Sequence, residues 1–208
     1  MSADQAGRLD WHQSMLQTLA PYLSKGSTAI DIGANIGTHT SFYIECVGES
    51  GSVVAIEPHP EAFACLERNC PSAITRKMAI MDKRGSCELE LDADSTGLSR
   101  VSNTGSGSVE VETLDHMLEE SWFPKQEISF IKIDVEGVEP NVLMGGVETM
   151  RQCAPVVCVE CYPKLLEHYG HDVRGIRSLL ESMGYKEFLF YEPYKNWESD
   201  YFNVISSW

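Results

Sequence analysis

The chain is poor in positive charge and has no long hydrophobic run. Among its 208 residues, 31 acids face 16 lysines and arginines, for a formal charge of −15 and a pI near 4.7. Such a field repels phosphate backbones, so a nucleic-acid partner is not expected; neutral or cationic small molecules are favoured. No stretch reaches the ~18 continuous apolar residues of a membrane helix, which argues against a membrane partner. The first residues, Met1 to Arg8, lack the charged and apolar regions of a signal peptide, and no Asn-x-Ser/Thr site occurs. Cysteines number seven, an odd count scattered singly, as suits reduced thiols in the cytoplasm. Cys158 and Cys161 form a CxxC inside an apolar run. On a strand, positions three apart face opposite sides, so these two cannot share a metal. With 43% hydrophobic and 23% charged residues, the chain has the material for one globular core.

What is present is strand–helix alternation. Trp11, Met15, Leu16, Leu19 and Leu23 recur at helical spacing, predicting an amphipathic helix over 10–24 that stops at Lys25-Gly26 and forms a cap segment, residues 1–25. Apolar strands follow near 28–32, 52–57, 73–80, 128–135 and 155–160. Helices are predicted over 38–47, 60–69, 139–152 and 172–183, with closing strands near 185–191 and 201–206. Continuous apolar strands joined by helices make an α/β fold: an open, mostly parallel sheet covered on both faces. Residues 85–113 alternate polar and apolar around a turn-rich centre, which predicts an antiparallel, hairpin-like insertion suited to substrate contact.

The stretch Thr28-Ala-Ile-Asp-Ile-Gly-Ala-Asn-Ile-Gly-Thr-His-Thr reads as a strand, a tight turn and a helix start. Gly33 and Gly37 permit the sharp turn and close ligand approach. Asp31 stands before the turn, and Glu57 closes the next apolar run, 24 residues after Gly33, where it can accept both hydroxyls of a ribose. An adenosine-containing cofactor is the expected ligand. Asp82 lies past another strand end, within reach of an adenine. A second acidic cluster, Lys132-Ile-Asp-Val-Glu-Gly-Val-Glu-Pro140, puts Asp134 and Glu136 at a strand end facing the same pocket. They could hold a cationic part of the cofactor, orient a hydroxyl or take its proton. Paired carboxylates can also hold a divalent ion, but no further ligand is identifiable by spacing, so no metal is assigned. His39, in the first helical turn after the glycine loop, is a third candidate base. His59 is a weaker one, and His168 and His171 read as structural or solvated.

Read together, Asp31-Ile-Gly-Ala-Asn-Ile-Gly-Thr-His-Thr, Ala55-Ile-Glu-Pro-His-Pro, Thr113-Leu-Asp and Ile131-Lys-Ile-Asp-Val-Glu-Gly-Val-Glu resemble the FkbM family of class I methyltransferases. The resemblance runs from about residue 26 to 192 and places the methyltransferase domain at 26–208. It implies a Rossmann-like seven-stranded sheet with a reversed last strand, S-adenosylmethionine as cofactor, and a small-molecule hydroxyl acceptor, often on a sugar or natural product. By match, Gly33, Ala34, Asn35 and Gly37 would contact the methionine and ribose parts, Glu57 the ribose, and Asp134 and Glu136 the reaction centre. A nicotinamide-dependent oxidoreductase is the competing expectation, although the loop is Gly-x-x-x-Gly. A non-catalytic partner-binding protein of the same fold is the third. Nothing in the residues decides whether the chain forms a homodimer.

Overall fold

A computed structural model describes residues 17–90, 100–102, 108–191 and 202–208. The central sheet has seven strands: β1 (Thr28–Ile32), β2 (Ser52–Ile56), β3 (Ile74–Arg76), β8 (Ile128–Ile133), β9 (Val156–Cys161), β10 (Glu187–Tyr191) and β11 (Phe202–Ser207). Their order is β10-β11-β9-β8-β1-β2-β3. Only β11 runs against its neighbours, pairing antiparallel with both β9 and β10. The last strand in sequence is therefore the reversed one. Order turns back beside β1, with β2 on one side and β8 on the other, and ligands of open parallel sheets sit beyond such a reversal.

The strands are apolar on both faces because both faces are covered. Ile30, Val54, Ile131 and Val157 face one way, into a core shared with Val142, Leu143, Met150, Ile176 and Leu180. Ala29, Val53, Phe130 and Cys158 face the other way, onto Leu19, Tyr43 and Val47. Cys161 packs on the first side and Cys158 on the second, so the CxxC is split across the sheet.

Helices are α1 (Thr38–Val47), α2 (Pro60–Asn69), α3 (Leu114–Met117), α4 (Glu139–Met144), α5 (Val147–Cys153), α6 (Pro163–His168) and α7 (Val173–Met183). Gly37 and Gly48, both with positive φ, bracket α1. Asp172 caps α7 by accepting from the Gly175 amide at 2.7 Å, and Gly184 ends it in the left-handed region. The continuous helix expected over 139–152 is two helices, α4 and α5. A β-carbon on Gly145 would lie 2.0 Å from the Met81 carbonyl oxygen, so the backbone passes there with no room for a side chain. Helix α6 was not expected.

The strand expected over 73–80 also divides. β3 joins the main sheet, while β4 (Ala79–Ile80) enters a second sheet, pairing parallel with β7 (Val109–Glu112). There β5 (Gly85–Glu90) pairs antiparallel with β7 and with β6 (Arg100–Ser102), giving the order β4-β7-β5-β6. The antiparallel insertion is therefore present. Residues 91–99 and 103–107 of its centre, and the expected first helical turns at 10–16, lie outside the described residues. Among the described residues, no helix is long and apolar enough to cross a membrane.

Candidate active site

A cavity of about 210 Å³ opens beyond the ends of β1 and β2. The loop after β1 forms its floor. Gly33 (φ +83°) and Asn35 (φ +49°) both take the left-handed conformation, which glycine and asparagine tolerate best. Gly33 and Ala34 both donate their amides to the Ile56 carbonyl at 2.9 Å, binding the loop to the end of β2. Gly37 also has no room for a side chain: a β-carbon would stand 2.7 Å from Cys70 Sγ.

Glu57 leaves β2 at the cavity wall, only 7% exposed. Its Oε2 accepts from the Asn35 amide and its Oε1 from the His59 amide, each at 2.8 Å. Burial pushes its carboxyl up to about 7, against the pull of these two hydrogen bonds. Each carboxylate oxygen keeps a lone pair for a ligand hydroxyl. His59 itself caps α2, its Nδ1 receiving the Glu61 and Ala62 amides, so its ring is built into the helix start.

The opposite wall is the turn after β8. Asp134 and Glu136 line the cavity, with Glu136 at φ +58°. Glu139 holds this turn closed, its Oε1 accepting from the Gly137 amide at 3.0 Å and the Val135 amide at 3.2 Å. Burial pushes Glu139 up to about 7 as well. Lys132, 1% exposed, donates from Nζ to Asp134 Oδ2. Glu160, at the end of β9, also lines the cavity and hydrogen-bonds Asp134. Burial and the Asp134 charge push the Glu160 carboxyl well above its ordinary range. Burial alone would raise Asp134 too, but the Lys132 charge and the bonds from Glu160 and Lys132 bring it below the usual range. Ile32, Ile56, Met78, Ala79 and Ile80 make the rest of the wall apolar, and Leu89 contributes from the small sheet.

The structure thus brings Gly33, Asn35, Glu57, Asp134 and Glu136 together around one cavity. Ala34 and Gly37 shape the loop without lining it. Asp31 is fully buried beneath it, accepting from Thr40 Oγ1 at 2.6 Å. His39 is not among the lining residues; its ring stacks on Tyr43. Asp82 is not among the lining residues either; Asn141 donates to it at 3.1 Å and in turn meets His171 Nε2. Lys132 and Glu160 carry no assignment from sequence. The signal for Glu160 is its place at the end of the strand beyond β8. Oxygens of Asp134, Glu136 and Glu160 lie within 4.8 Å of one another, but Lys132 already supplies the positive charge there, and no metal is assigned.

Comparison with solved structures gives the same architecture. The FkbM methyltransferase of Methylobacillus flagellatus KT superposes with a TM-score of 0.59 at 16% identity, over 88% of this chain and 44% of that one. This chain therefore spans less than half of that protein. A precorrin-6y C5,15-methyltransferase from Geobacter metallireducens GS-15 matches with a TM-score of 0.54 at 14% identity, over 94% of this chain and 88% of its own. Fibrillarin of Aeropyrum pernix, solved with natively bound S-adenosyl-L-methionine, matches with a TM-score of 0.52 at 11% identity, over 88% of this chain and 67% of that one. No curated protein is significantly similar in sequence. The model of the methyltransferase FkbM domain matches residues 31–187, from the acid before the glycine loop to the start of β10, and the chain belongs to that methyltransferase family.

Proposed function

We propose that the protein is an S-adenosylmethionine-dependent O-methyltransferase acting on a hydroxyl of a small molecule, of the sugar or natural-product kind. The observation that carries the cofactor reading is Glu57, a buried acid held by two loop amides and facing an apolar cleft. The residues fit this group. Glu57 would take the ribose hydroxyls, and the side chains of Ile56, Met78, Ala79 and Ile80 offer the adenine an apolar wall. The loop at Gly33 and Asn35 would lie along the methionine part, and Asp134 and Glu136 would face the cationic end. When bound, S-adenosylmethionine supplies a methyl group on a positively charged sulfur.

Lone pairs of an acceptor oxygen must be aligned with that methyl, and orientation alone can contribute roughly 7–11 kcal/mol to the barrier reduction. The acceptor hydroxyl loses its proton as the new bond forms. Asp134 is poorly suited to take it, because Lys132 and Glu160 occupy its oxygens and lower its basicity. Glu136, two residues on and lining the same cavity, is the better base. The acidic surface suits a neutral acceptor better than a nucleic acid.

Calorimetric titration with S-adenosylhomocysteine, with NAD as control, tests the reading. Micromolar binding of S-adenosylhomocysteine alone is expected, followed by methyl transfer to hydroxylated acceptors in a screen. Binding of NAD alone would overturn it. A Glu136→Gln variant should keep its affinity for S-adenosylhomocysteine, whose sulfur carries no charge, and lose most of kcat.

A further inference from the structure

Lys132 sits where an ammonium is costly, inside a sheet of apolar strands and 1% exposed. In register it lies between Asp31 of β1 and Cys158 of β9. Residues two apart share a strand face, so its side chain points the same way as Asp134, and Nζ reaches Asp134 Oδ2. From β9, Glu160 brings its carboxyl to the same aspartate. The side chain facing the cavity is thus held by two groups rooted in the protein, one of them a full positive charge.

We propose that Lys132 is a positioning residue: its buried ammonium holds the Asp134 carboxylate charged and aimed into the cleft, so that this end of the site favours a positive sulfur over a neutral one. The inference rests on the cofactor reading above. Methyl transfer turns a sulfonium into a neutral thioether and leaves the methyl on the acceptor oxygen, whose proton goes to the base. A fixed negative charge beside the sulfur therefore holds the reactant cofactor more tightly than the product.

Other charges around Asp134 do not replace Lys132. Asp31, Glu136 and Glu160 are acids, Tyr43 and Cys158 are buried and neutral, and His39 lends only a weaker attraction. Burial pulls the Lys132 ammonium down, but Asp134, Asp31 and Glu160 outweigh this and raise it, so it stays charged throughout the neutral range. Without it, burial and the neighbouring Glu160 carboxyl act on Asp134 with no full positive charge to oppose them, and the Asp134 carboxyl rises from its lowered position.

The test is calorimetric titration of wild type, Lys132→Met and Lys132→Arg with S-adenosylmethionine and with S-adenosylhomocysteine, from pH 6 to 9. In Lys132→Met, affinity for S-adenosylmethionine should fall about tenfold at pH 7, as loss of one charge contact implies. S-adenosylhomocysteine should lose much less, and the deficit should shrink toward pH 9. Lys132→Arg should restore the wild-type ratio. Equal losses for both ligands, or a loss independent of pH, would make Lys132 a merely structural residue and overturn the proposal. Should Lys132→Met not fold, carboxyl NMR titration of wild type decides: Asp134 must stay ionised from pH 5 upward, and its titration near neutrality refutes the clamp. If wild type binds neither ligand, the cofactor reading fails instead, while the NMR titration still judges the clamp.

Discussion

The carbonyl oxygen of Asp134 occupies the place where a β-carbon on Gly33 would have to stand, 1.7 Å away from it. The ends of β1 and β8 are pressed together at the point where the sheet order reverses, and the Asp134 amide donates to the Ile32 carbonyl at 3.0 Å. One glycine thus sets the spacing between the loop that bears Asn35 and the turn that bears Glu136.

Gly33→Ala should therefore cost far more than its backbone conformation alone. Gly170 supplies the control, since its φ of +76° is also positive but nothing stands within 4 Å of its missing β-carbon. Gly170→Ala should lose about 1–3 kcal/mol, the cost of a sparsely populated backbone conformation. Gly33→Ala should lose at least about 2 kcal/mol more, because backbone must move. Urea denaturation of the two variants compares them directly; equal losses would mean that strand spacing at the site is soft.

How much of this was legible in the sequence depends on how local the cause is. The glycine loop, Glu57 and the Asp134–Glu136 turn are written into short stretches, because a tight turn and a strand end are local events. Lys132 is not, since a charge inside an apolar run is explained only by partners beyond that run, whereas Glu160 shows the same strand-end place as Glu57. The need for glycine at 145 is set by the Met81 carbonyl, 64 positions earlier. Asp82 shares the strand-end position of Glu57, and its Oδ1 accepts from Asn141 of a distant helix, a contact that no short stretch announces. His59 resembled a reactive histidine, and only the geometry shows Nδ1 committed to two helix amides.

Glu57 links cofactor binding to pH. Its carboxyl is pushed up to about 7 by burial, yet accepting both ribose hydroxyls requires the carboxylate. S-adenosylhomocysteine affinity should therefore rise from pH 6 to 8, by at most about tenfold per unit below that pKa. Binding near pH 6.5 should release protons, seen by calorimetry in buffers of different ionisation heat. Glu57→Ala should lose about 1.5–3 kcal/mol of binding, as for hydrogen bonds to a charged acceptor, together with that proton release. Unchanged affinity in the variant would remove Glu57 from the ribose site.

Glu139 should show its effect in stability. It is 2% exposed, its Oε2 finds no partner among the described residues, and burial pushes its carboxyl from 4.5 up to about 7. A carboxyl whose folded pKa is raised binds its proton more tightly in the folded state. It therefore stabilises the fold fully below about pH 4.5, and this contribution is lost as pH rises through 7. The loss approaches about 3 kcal/mol at most, from the conversion of pKa shift to free energy. Glu139→Gln keeps a carbonyl oxygen for the Val135 and Gly137 amides but cannot ionise. Its stability should change less between pH 5 and pH 8 than that of wild type, so the variant gains on wild type as pH rises. Denaturant unfolding at the two pH values measures this. If wild type and variant change in parallel, Glu139 is not the titrating group, and its hold on the turn does not depend on its charge.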